Sequence, residues 1–244
     1  MNETTAQRLI ALNRAFYNQF AQDFSQTRQP LNPGIQRVLQ GALADAPCLL
    51  DVGCGDARVG RAWLKRFAKD GQLRYVGVDS SDGLLACHPM PTEGRLVQAD
   101  LSDPHWVQHL PLATFPAVVS FAVIHHIPPP YLAGFLQQIS QTLAPNGCAV
   151  LSSWQFWNSP RLLKKQVDWS SKANLELDPA DVGEDAYLLD WHSASGQGVR
   201  YVQKIVPSAL LALVQASGLQ VQESFLSDGA NGDLGFYVVA RKFD

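Results

Sequence analysis

The sequence predicts an α/β protein with a doubly wound, Rossmann-like sheet of seven mostly parallel strands and an antiparallel C-terminal hairpin. Two observations support this fold class. Short apolar strands alternate with helical segments over residues 47–154, the pattern of parallel strands joined by right-handed crossovers. Two more strands, at 219–226 and 235–241, are separated by a loop rich in Gly, Asn and Asp, which favours a hairpin.

The N-terminal residues 1–46 are predicted to form a helical lid. Apolar residues recur at helical spacing over 5–22. A second helix is expected from 33 to 44, since a proline at position 33 suits the first turn of a helix. A polar stretch at 25–30 separates the two helices.

Residues 47–154 and 201–244 are predicted to form the core. Its first five strands are expected at 48–53, 73–78, 95–99, 116–122 and 147–154, and the helices between them at 57–69, 81–87, 103–109 and 130–143. A further helix at 207–217 ends at Gly218, before the hairpin.

Residues 155–200 interrupt this alternation and are predicted to form an insertion that caps the substrate. The segment contains a basic stretch near Lys164, an acidic stretch near Asp181, and Trp191-His192. An insertion of this length without a repeat is typical of a functional segment.

Composition restricts the class of protein and its partners. With 46% hydrophobic and 17% charged residues, the 244-residue chain is typical of a globular protein. Its net charge of −3 predicts no DNA partner and requires any RNA to be bound by a local patch. The four cysteines lack metal-ligand spacing, so we expect no metal site. No stretch predicts a signal peptide or a membrane span, and the expected location is the cytoplasm.

The most informative motif is the glycine turn at 49–56. An apolar strand carries Asp51 and leads into Gly53-Cys54-Gly55, where two glycines let the backbone turn sharply and approach a ligand. The next strand ends in Asp79, which completes the pattern of a nucleoside-cofactor pocket. Arg58 stands where dinucleotide-binding proteins have a third glycine, which favours a cofactor with a ribose diol and no pyrophosphate.

This pattern resembles motif I of class I S-adenosyl-L-methionine (SAM) methyltransferases, and the resemblance implies SAM as cofactor. In that class the ends of successive strands contact the cofactor. The implied site comprises Asp51, Gly53, Cys54 and Gly55 at the methionine part, Asp79 and its neighbour Ser80 at the ribose, Asp100 and its neighbour Leu101 at the adenine, and the backbone of Phe121 and Ala122 at the methionine ammonium.

Other segments resemble the tRNA wobble-uridine methyltransferases, a family that esterifies 5-carboxymethyluridine in the anticodon. The similarity extends from about residue 13 to 242, and its main motifs lie at 16–28, 120–126, 185–192, 200–201 and 237–242. It implies tRNA as a partner, together with the small activating subunit that some family members use. The chain departs from the family at Leu31-Asn32-Pro33, which replaces Pro-Trp-Pro, and at Asp190, which replaces the proline of Pro-Trp-His.

The catalytic candidates depend on the acceptor. A carboxylate is already ionised at neutral pH, so it needs a positioning cation and no general base. Arg28 or Arg200 could supply that cation through a bidentate contact. A hydroxyl or amine acceptor would need a base, for which His125 and His192 are the candidates.

Two other functions fit the sequence. The acidic isoelectric point and the departures from the tRNA family favour an O- or carboxyl-methyltransferase that acts on a small molecule. A SAM-binding protein without turnover is a further alternative, because the strand-end acids hold the cofactor and take no part in the chemistry.

Overall fold

The computed structural model describes residues 1–27, 30–175 and 177–243. The strands are β1 (Leu49–Val52), β2 (Tyr75–Asp79), β3 (Gly94–Gln98), β4 (Phe115–Phe121), β5 (Leu143–Trp154), β6 (Gln166–Val167), β7 (Ala186–Ser193), β8 (Gly196–Gln203), β9 (Gln220–Ser227) and β10 (Gly235–Arg241). The α-helices are α1 (Glu3–Gln19), α2 (Ala21–Gln26), α3 (Pro33–Gln40), α4 (Arg58–Leu64), α5 (Asp82–Leu85), α6 (Pro129–Thr142), α7 (Pro160–Leu163), α8 (Pro179–Val182) and α9 (Pro207–Ala216).

Seven strands of the described residues form the main sheet, in the order β3-β2-β1-β4-β5-β10-β9. Strands β1 to β5 pair in parallel, whereas β10 is antiparallel to both β5 and β9. The predicted fold class, a mostly parallel α/β sheet with an antiparallel C-terminal hairpin, is therefore confirmed. The order places the carboxyl ends of β1 and β4 side by side, where ligands bind in such sheets.

The core lies on both faces of this sheet, because consecutive strand residues point to opposite sides. Leu50 and Val52 pack into a cluster with α6 and α9, where Phe135 and Leu210 are fully buried. On the other face, Leu49 belongs to the cluster that α3 and α4 cover. The apolar run in β1 is thus explained by burial on both sides.

Several helices are shorter than the apolar pattern predicts, for local reasons. The expected helix at 5–22 breaks at Phe20, whose φ of −108° and ψ of 19° leave the helical range, and a second helix then continues to Gln26. The expected helix at 33–44 stops where Gly41 takes φ −108° and ψ −99°. The expected helix at 57–69 ends at Leu64, after which the amides bond three residues back.

The helix predicted at 103–109 is a single 3₁₀ turn, Trp106–His109. Asp103 accepts a hydrogen bond from the backbone N–H of His105 at 2.8 Å, a local turn that competes with a longer helix. Burial of the Trp106 ring fixes the turn against the core. Further 3₁₀ turns occur at Ile124–His126, Phe156–Asn158 and Trp169–Leu175.

The chain between β5 and α9 builds a small antiparallel sheet in the order β6-β7-β8. Position 200, where the insertion was expected to end, lies inside β8. Helix α1 packs on this strand, and the Asn13 amide bonds both backbone groups of Tyr201, accepting from its N–H at 2.8 Å and donating to its carbonyl at 3.0 Å. The rings of Phe16 and Phe20 also contact Trp191 of β7. We call α1, α2 and the small sheet together the cover.

In the part of the chain that the structure describes, no helix has both the length and the apolar composition needed to cross a bilayer.

Candidate active site

The glycine turn after β1 is held against β2 by two backbone bonds. The N–H groups of Gly53 and Cys54 donate to the carbonyl of Val78 at 2.7 and 3.0 Å. Gly53 has a φ of +77°, and a Cβ at this position would lie 2.2 Å from Cγ2 of Val123. Glycine is therefore required at position 53 for both conformation and space. The φ of Gly55 is also positive, at 57°.

Asp79, at the end of β2, is fixed by backbone donors on both oxygens. Its Oδ2 accepts from the N–H of Gly55 at 2.8 Å, and its Oδ1 accepts from the N–H of Ser81 at 2.9 Å. Burial raises the pKa of Asp79, although these hydrogen bonds oppose the shift. Each oxygen has a second lone pair, so the carboxylate can still accept from two ribose hydroxyls. Ser80 lines the cavity next to it.

Asp51, in β1, is buried at the glycine turn and accepts a hydrogen bond from the Tyr75 hydroxyl at 2.8 Å. Burial raises its pKa to about 7, against the effect of the Tyr75 bond, and the charge of Asp79 raises it further. A buried carboxyl that titrates near neutrality would be stabilised in its charged form by a cationic ligand.

Asp100, after β3, lies where helix α1 meets the main sheet. Its Oδ1 accepts from the backbone N–H of Ser102 at 3.0 Å and from the Ser102 hydroxyl at 2.6 Å. Its other oxygen pairs with the guanidinium of Arg14 from α1. Sequence reasoning missed Arg14, and only its position on the apolar-patterned helix α1 hinted that it would face the sheet. Leu101 also lines the cavity.

The chain turns sharply after β4, where Ala122 has a φ of +58°. Its N–H donates to the Ser152 hydroxyl at 2.9 Å, which fixes the turn to β5. Phe121 and Ala122 both line the cavity, and a ligand ammonium would need the acceptor groups that backbone carbonyls supply. All the cofactor residues predicted from the sequence line one cavity, which has a volume of about 780 Å³.

The same cavity continues under the cover to Arg200 of β8, which is 5% exposed. The guanidinium lies 5.1 Å from the ring centre of Trp154 and 5.5 Å from that of Phe16. Its Nη1 donates to the Tyr17 oxygen at 3.4 Å, while Nε is buried without a hydrogen-bond partner in the described chain. No carboxylate of the described residues lies within ion-pair distance of Arg200. The other candidate cation, Arg28, lies outside the described residues.

The two histidines chosen from the sequence lie in different surroundings. His125 is buried, and its Nδ1 accepts from the backbone N–H of Trp154 at 3.1 Å, so a neutral ring carries its proton on Nε2. His192 lies at the rim of the cavity with a 62% exposed side chain, paired with Asp190. Burial acts to raise the pKa of Asp190, but hydrogen bonds from Gln197 and His192 hold that pKa below its ordinary value.

A third histidine faces the cavity, and sequence reasoning did not select it. His126 Nδ1 lies 2.9 Å from the carbonyl oxygen of Tyr201, and its Nε2 lies 2.8 Å from the hydroxyl of Tyr17. The signal was present in the sequence, because Tyr17 and His126 belong to two of the stretches that resemble the tRNA methyltransferases. Among the described residues, no three His, Cys, Asp or Glu side chains group closely enough to hold a metal ion.

Comparison with known proteins identifies the segment that contains the glycine turn. Residues 50–149 match a family model described as a methyltransferase domain, and this segment contains the glycine turn and the strand-end acids. A search of curated proteins gave no match.

Solved structures share the fold over nearly the whole chain. The structure of a "DhpI-SAM-HEP complex" is 18% identical, with a TM-score of 0.68, and the match covers 97% of this chain and 99% of that one. The CcbJ methyltransferase from Streptomyces caelestis is 17% identical, with a TM-score of 0.65 over 94% and 98% of the two chains. A 1,6-didemethyltoxoflavin-N1-methyltransferase from Burkholderia thailandensis, solved with that compound and S-adenosylhomocysteine, is 17% identical, with a TM-score of 0.63 over 100% and 93%.

At these identities the similarity establishes the fold, and the family match over residues 50–149 identifies the domain. Residues 50–149 thus carry a methyltransferase domain, and the protein is an enzyme that uses S-adenosylmethionine as its methyl donor.

Proposed function

We propose that the enzyme methylates a small-molecule acid whose anionic group binds Arg200. The observation that supports this proposal is a buried guanidinium that faces the cavity and has no carboxylate partner among the described residues. Burying a charge without a partner is costly, and the surrounding aromatic rings offset only part of that cost. A ligand carboxylate or phosphonate would supply the missing charge and could accept two parallel hydrogen bonds.

The acceptor atom is a separate question. The acid oxygen itself could receive the methyl group, as the resemblance to carboxyl-methyltransferases implies. A hydroxyl or amine on the same molecule is the other option, with the acid serving only to bind and orient it. In both cases the protein mainly aligns the acceptor with the methyl group of the cofactor, since methyl transfer from a sulfonium is an in-line displacement.

A modified wobble uridine in tRNA is the second candidate acceptor. It is favoured by the convergence of Tyr17, His126, Trp191 and Arg200 on the cavity, since each belongs to a stretch that resembles the tRNA family. The net charge of −3 and the cover over the cavity favour the small molecule instead. The Burkholderia neighbour binds a small compound, 1,6-didemethyltoxoflavin.

Transfer of radiolabelled methyl from SAM tests these alternatives directly. The acceptors would be a panel of hydroxy- and amino-substituted carboxylic and phosphonic acids, with total tRNA in a parallel reaction. We expect label in at least one small acid and none in tRNA. Label in tRNA alone would favour the wobble uridine, and label in neither would contradict both acceptors and require an acceptor of another class.

The role of Arg200 has its own control. We expect Arg200→Gln to weaken binding of the active acid at least about tenfold, as lost charge-assisted bonds imply, while SAM affinity changes less than about threefold. Arg200→Lys keeps the charge and loses the planar fork, so it should be impaired less than the Gln variant. Arg95→Gln, on exposed β3, is the matched control. Unchanged acid binding in Arg200→Gln would overturn the proposal.

A further inference from the structure

A chain of hydrogen bonds runs from Arg200 through Tyr17 and His126 to the Tyr201 carbonyl, and in each bond the donor can be assigned. A carbonyl oxygen can only accept, so the 2.9 Å contact between His126 Nδ1 and the Tyr201 carbonyl places a proton on Nδ1. The neutral ring then has a lone pair on Nε2, and the Tyr17 hydroxyl donates to it at 2.8 Å. The Tyr17 oxygen in turn accepts from Arg200 Nη1 at 3.4 Å.

In this arrangement the Tyr17 hydroxyl can take a proton from a bound molecule and pass its own proton to His126. Tyr17 lines the cavity together with Arg200. Negative charge that develops on the phenol oxygen lies next to the guanidinium, which stabilises it. The rings of Phe16 and Phe24 hold the Tyr17 ring edge-on, with centroids 5.2 and 5.1 Å away.

We propose that Tyr17 is a catalytic residue that removes a proton from the acceptor, and that His126 is the positioning residue that receives the proton of Tyr17. The acceptor atom is therefore a hydroxyl oxygen or an amine nitrogen on the acid that Arg200 binds, and the acid oxygen itself is not methylated. This inference rests on the proposed function, because Arg200 must hold the acid for the neighbouring hydroxyl or amine to reach Tyr17.

The step balances in atoms and charge. A lone pair of the acceptor atom forms the new bond to the methyl carbon, and the carbon–sulfur bond breaks with its electron pair left on sulfur, giving S-adenosylhomocysteine. The acceptor proton passes to Tyr17, and the Tyr17 proton passes to Nε2 of His126. The resulting imidazolium, still bonded to the Tyr201 carbonyl through Nδ1, later releases a proton to water.

Among the described residues, the Tyr17 hydroxyl from α1 bonds Nε2 of His126, and the ring of His125 lies 4.4 Å away between centroids. Arg200 of β8 bonds the Tyr17 oxygen. The amide of Asn13, at 3.3 Å from Nδ1, is the neutral neighbour. Replacing Tyr17 or His126 is therefore expected to change the pH dependence of the rate.

Nitrogen-15 NMR of the His126 ring tests the arrangement without an acceptor, in the full-length protein bound to S-adenosylhomocysteine. We expect a proton on Nδ1 and none on Nε2, and an Nε2 resonance that shifts in Tyr17→Phe but not in the control Tyr131→Phe, whose hydroxyl bonds Glu3 outside the cavity. His126→Gln assigns the signals. A proton on Nε2 throughout the pH range of activity, or an Nε2 signal indifferent to Tyr17→Phe, overturns the proposal.

Kinetics with the acid that is labelled in the panel test the chemistry. General-base catalysis contributes about a hundredfold or more, so we expect Tyr17→Phe to lower kcat by at least that factor with KM within about threefold. Arg200→Gln should both raise KM and lower kcat, because Arg200 binds the acid and also stabilises charge on the Tyr17 oxygen. The rise of kcat with pH in the wild type should be absent in both Tyr17→Phe and His126→Gln.

The product separates this inference from the proposed function. An ether or N-methyl product, stable to mild base, supports the proton transfer through Tyr17. A base-labile methyl ester, or wild-type kcat in Tyr17→Phe, overturns it while leaving an acid substrate in place. If no acid is labelled, the proposed function fails, and the NMR result alone decides whether Tyr17 donates to His126.

Discussion

The acids at the ends of β1 and β2 have different hydrogen-bond partners, so we expect their replacement to affect cofactor binding in different ways. Asp79 is held by two backbone N–H groups, whereas the partner of Asp51 is the Tyr75 hydroxyl. The Asp79 carboxylate is therefore fixed in orientation, ready to accept hydrogen bonds. The protonation of Asp51 is instead expected to change when a charged ligand binds.

Replacing Asp79 by Ala should weaken SAM binding by about 2–4 kcal/mol, because two charge-assisted hydrogen bonds to the ribose would be lost. The loss corresponds to roughly thirtyfold to a thousandfold in affinity, measured by calorimetric titration. Asp82→Ala, an exposed acid in the first turn of α5, is the control and should bind SAM normally. Normal SAM affinity in Asp79→Ala would remove this carboxylate from the cofactor site.

The raised pKa of Asp51 predicts that the affinity for the cofactor depends on pH. Its pKa is raised to about 7 by burial, so much of the free protein carries a protonated Asp51 at slightly acidic pH. A cationic cofactor favours the carboxylate, and SAM binding should therefore release up to about one proton and strengthen as the pH rises through about 7. Titrations in two buffers of different ionisation enthalpy measure the release.

The same raised pKa affects the stability of the free protein in the opposite direction. The folded pKa of Asp51 lies above the unfolded value, so its contribution to stability is fully present below the unfolded pKa and is lost as pH rises through about 7. Asp51→Asn should abolish both effects. A variant that still releases the proton would assign the release to another group.

At the scale of elements, the packing contact between α1 and β8, here called the joint, holds the cover together. Gly198 of β8 lies under the aromatic face of α1, and a Cβ there would lie 2.3 Å from Cε2 of Phe20 and 3.0 Å from Cδ2 of Phe16. A side chain at this position would therefore force the helix away from the strand.

We expect Gly198→Ala to lower the free energy of unfolding by about 1–3 kcal/mol, the usual cost of overpacking. It should also weaken acid binding more than SAM binding, because the joint lies beside Arg200. Gly134→Ala, in the exposed middle of α6, meets nothing within 4 Å and should instead stabilise by about 0.5–1 kcal/mol. Urea denaturation measures both variants. Equal stability of Gly198→Ala and wild type would mean that α1 is not tightly seated.

At the scale of the whole molecule, the fold was readable because its signals are local. Alternation of apolar strands with helices, a glycine turn and a C-terminal loop each lie within a few neighbouring residues. The strand-end acids were also readable, since parallel strands bring their carboxyl ends to one edge. Helix lengths were overestimated where backbone turns at Phe20 and Gly41 ended an apolar pattern that continues in the sequence.

The acceptor side could not be read in the same way. The sequence pointed to Arg200 as a candidate cation, but Tyr17 and His126 join it only when α1 docks on β8. The choice of His126 over His125 depends on which ring nitrogen faces which backbone group. Nothing in the sequence specifies that orientation. The departures from the tRNA family at Leu31-Asn32-Pro33 and Asp190 left a small-molecule acceptor open as an alternative. The structure adds a buried Arg200 with no carboxylate partner among the described residues.

Asn13 pairs with Tyr201, 188 residues further along the chain. This pairing determines when α1 can reach its folded position during synthesis. On the ribosome α1 emerges before β8, because the strand on which it docks is made only after β1 to β5. Until then the apolar face that contains Leu9, Phe16 and Phe20 has no native surface to cover it. Helix α1 is therefore made well before the strand on which it packs, and a nascent chain that ends before Tyr201 cannot close over the cofactor.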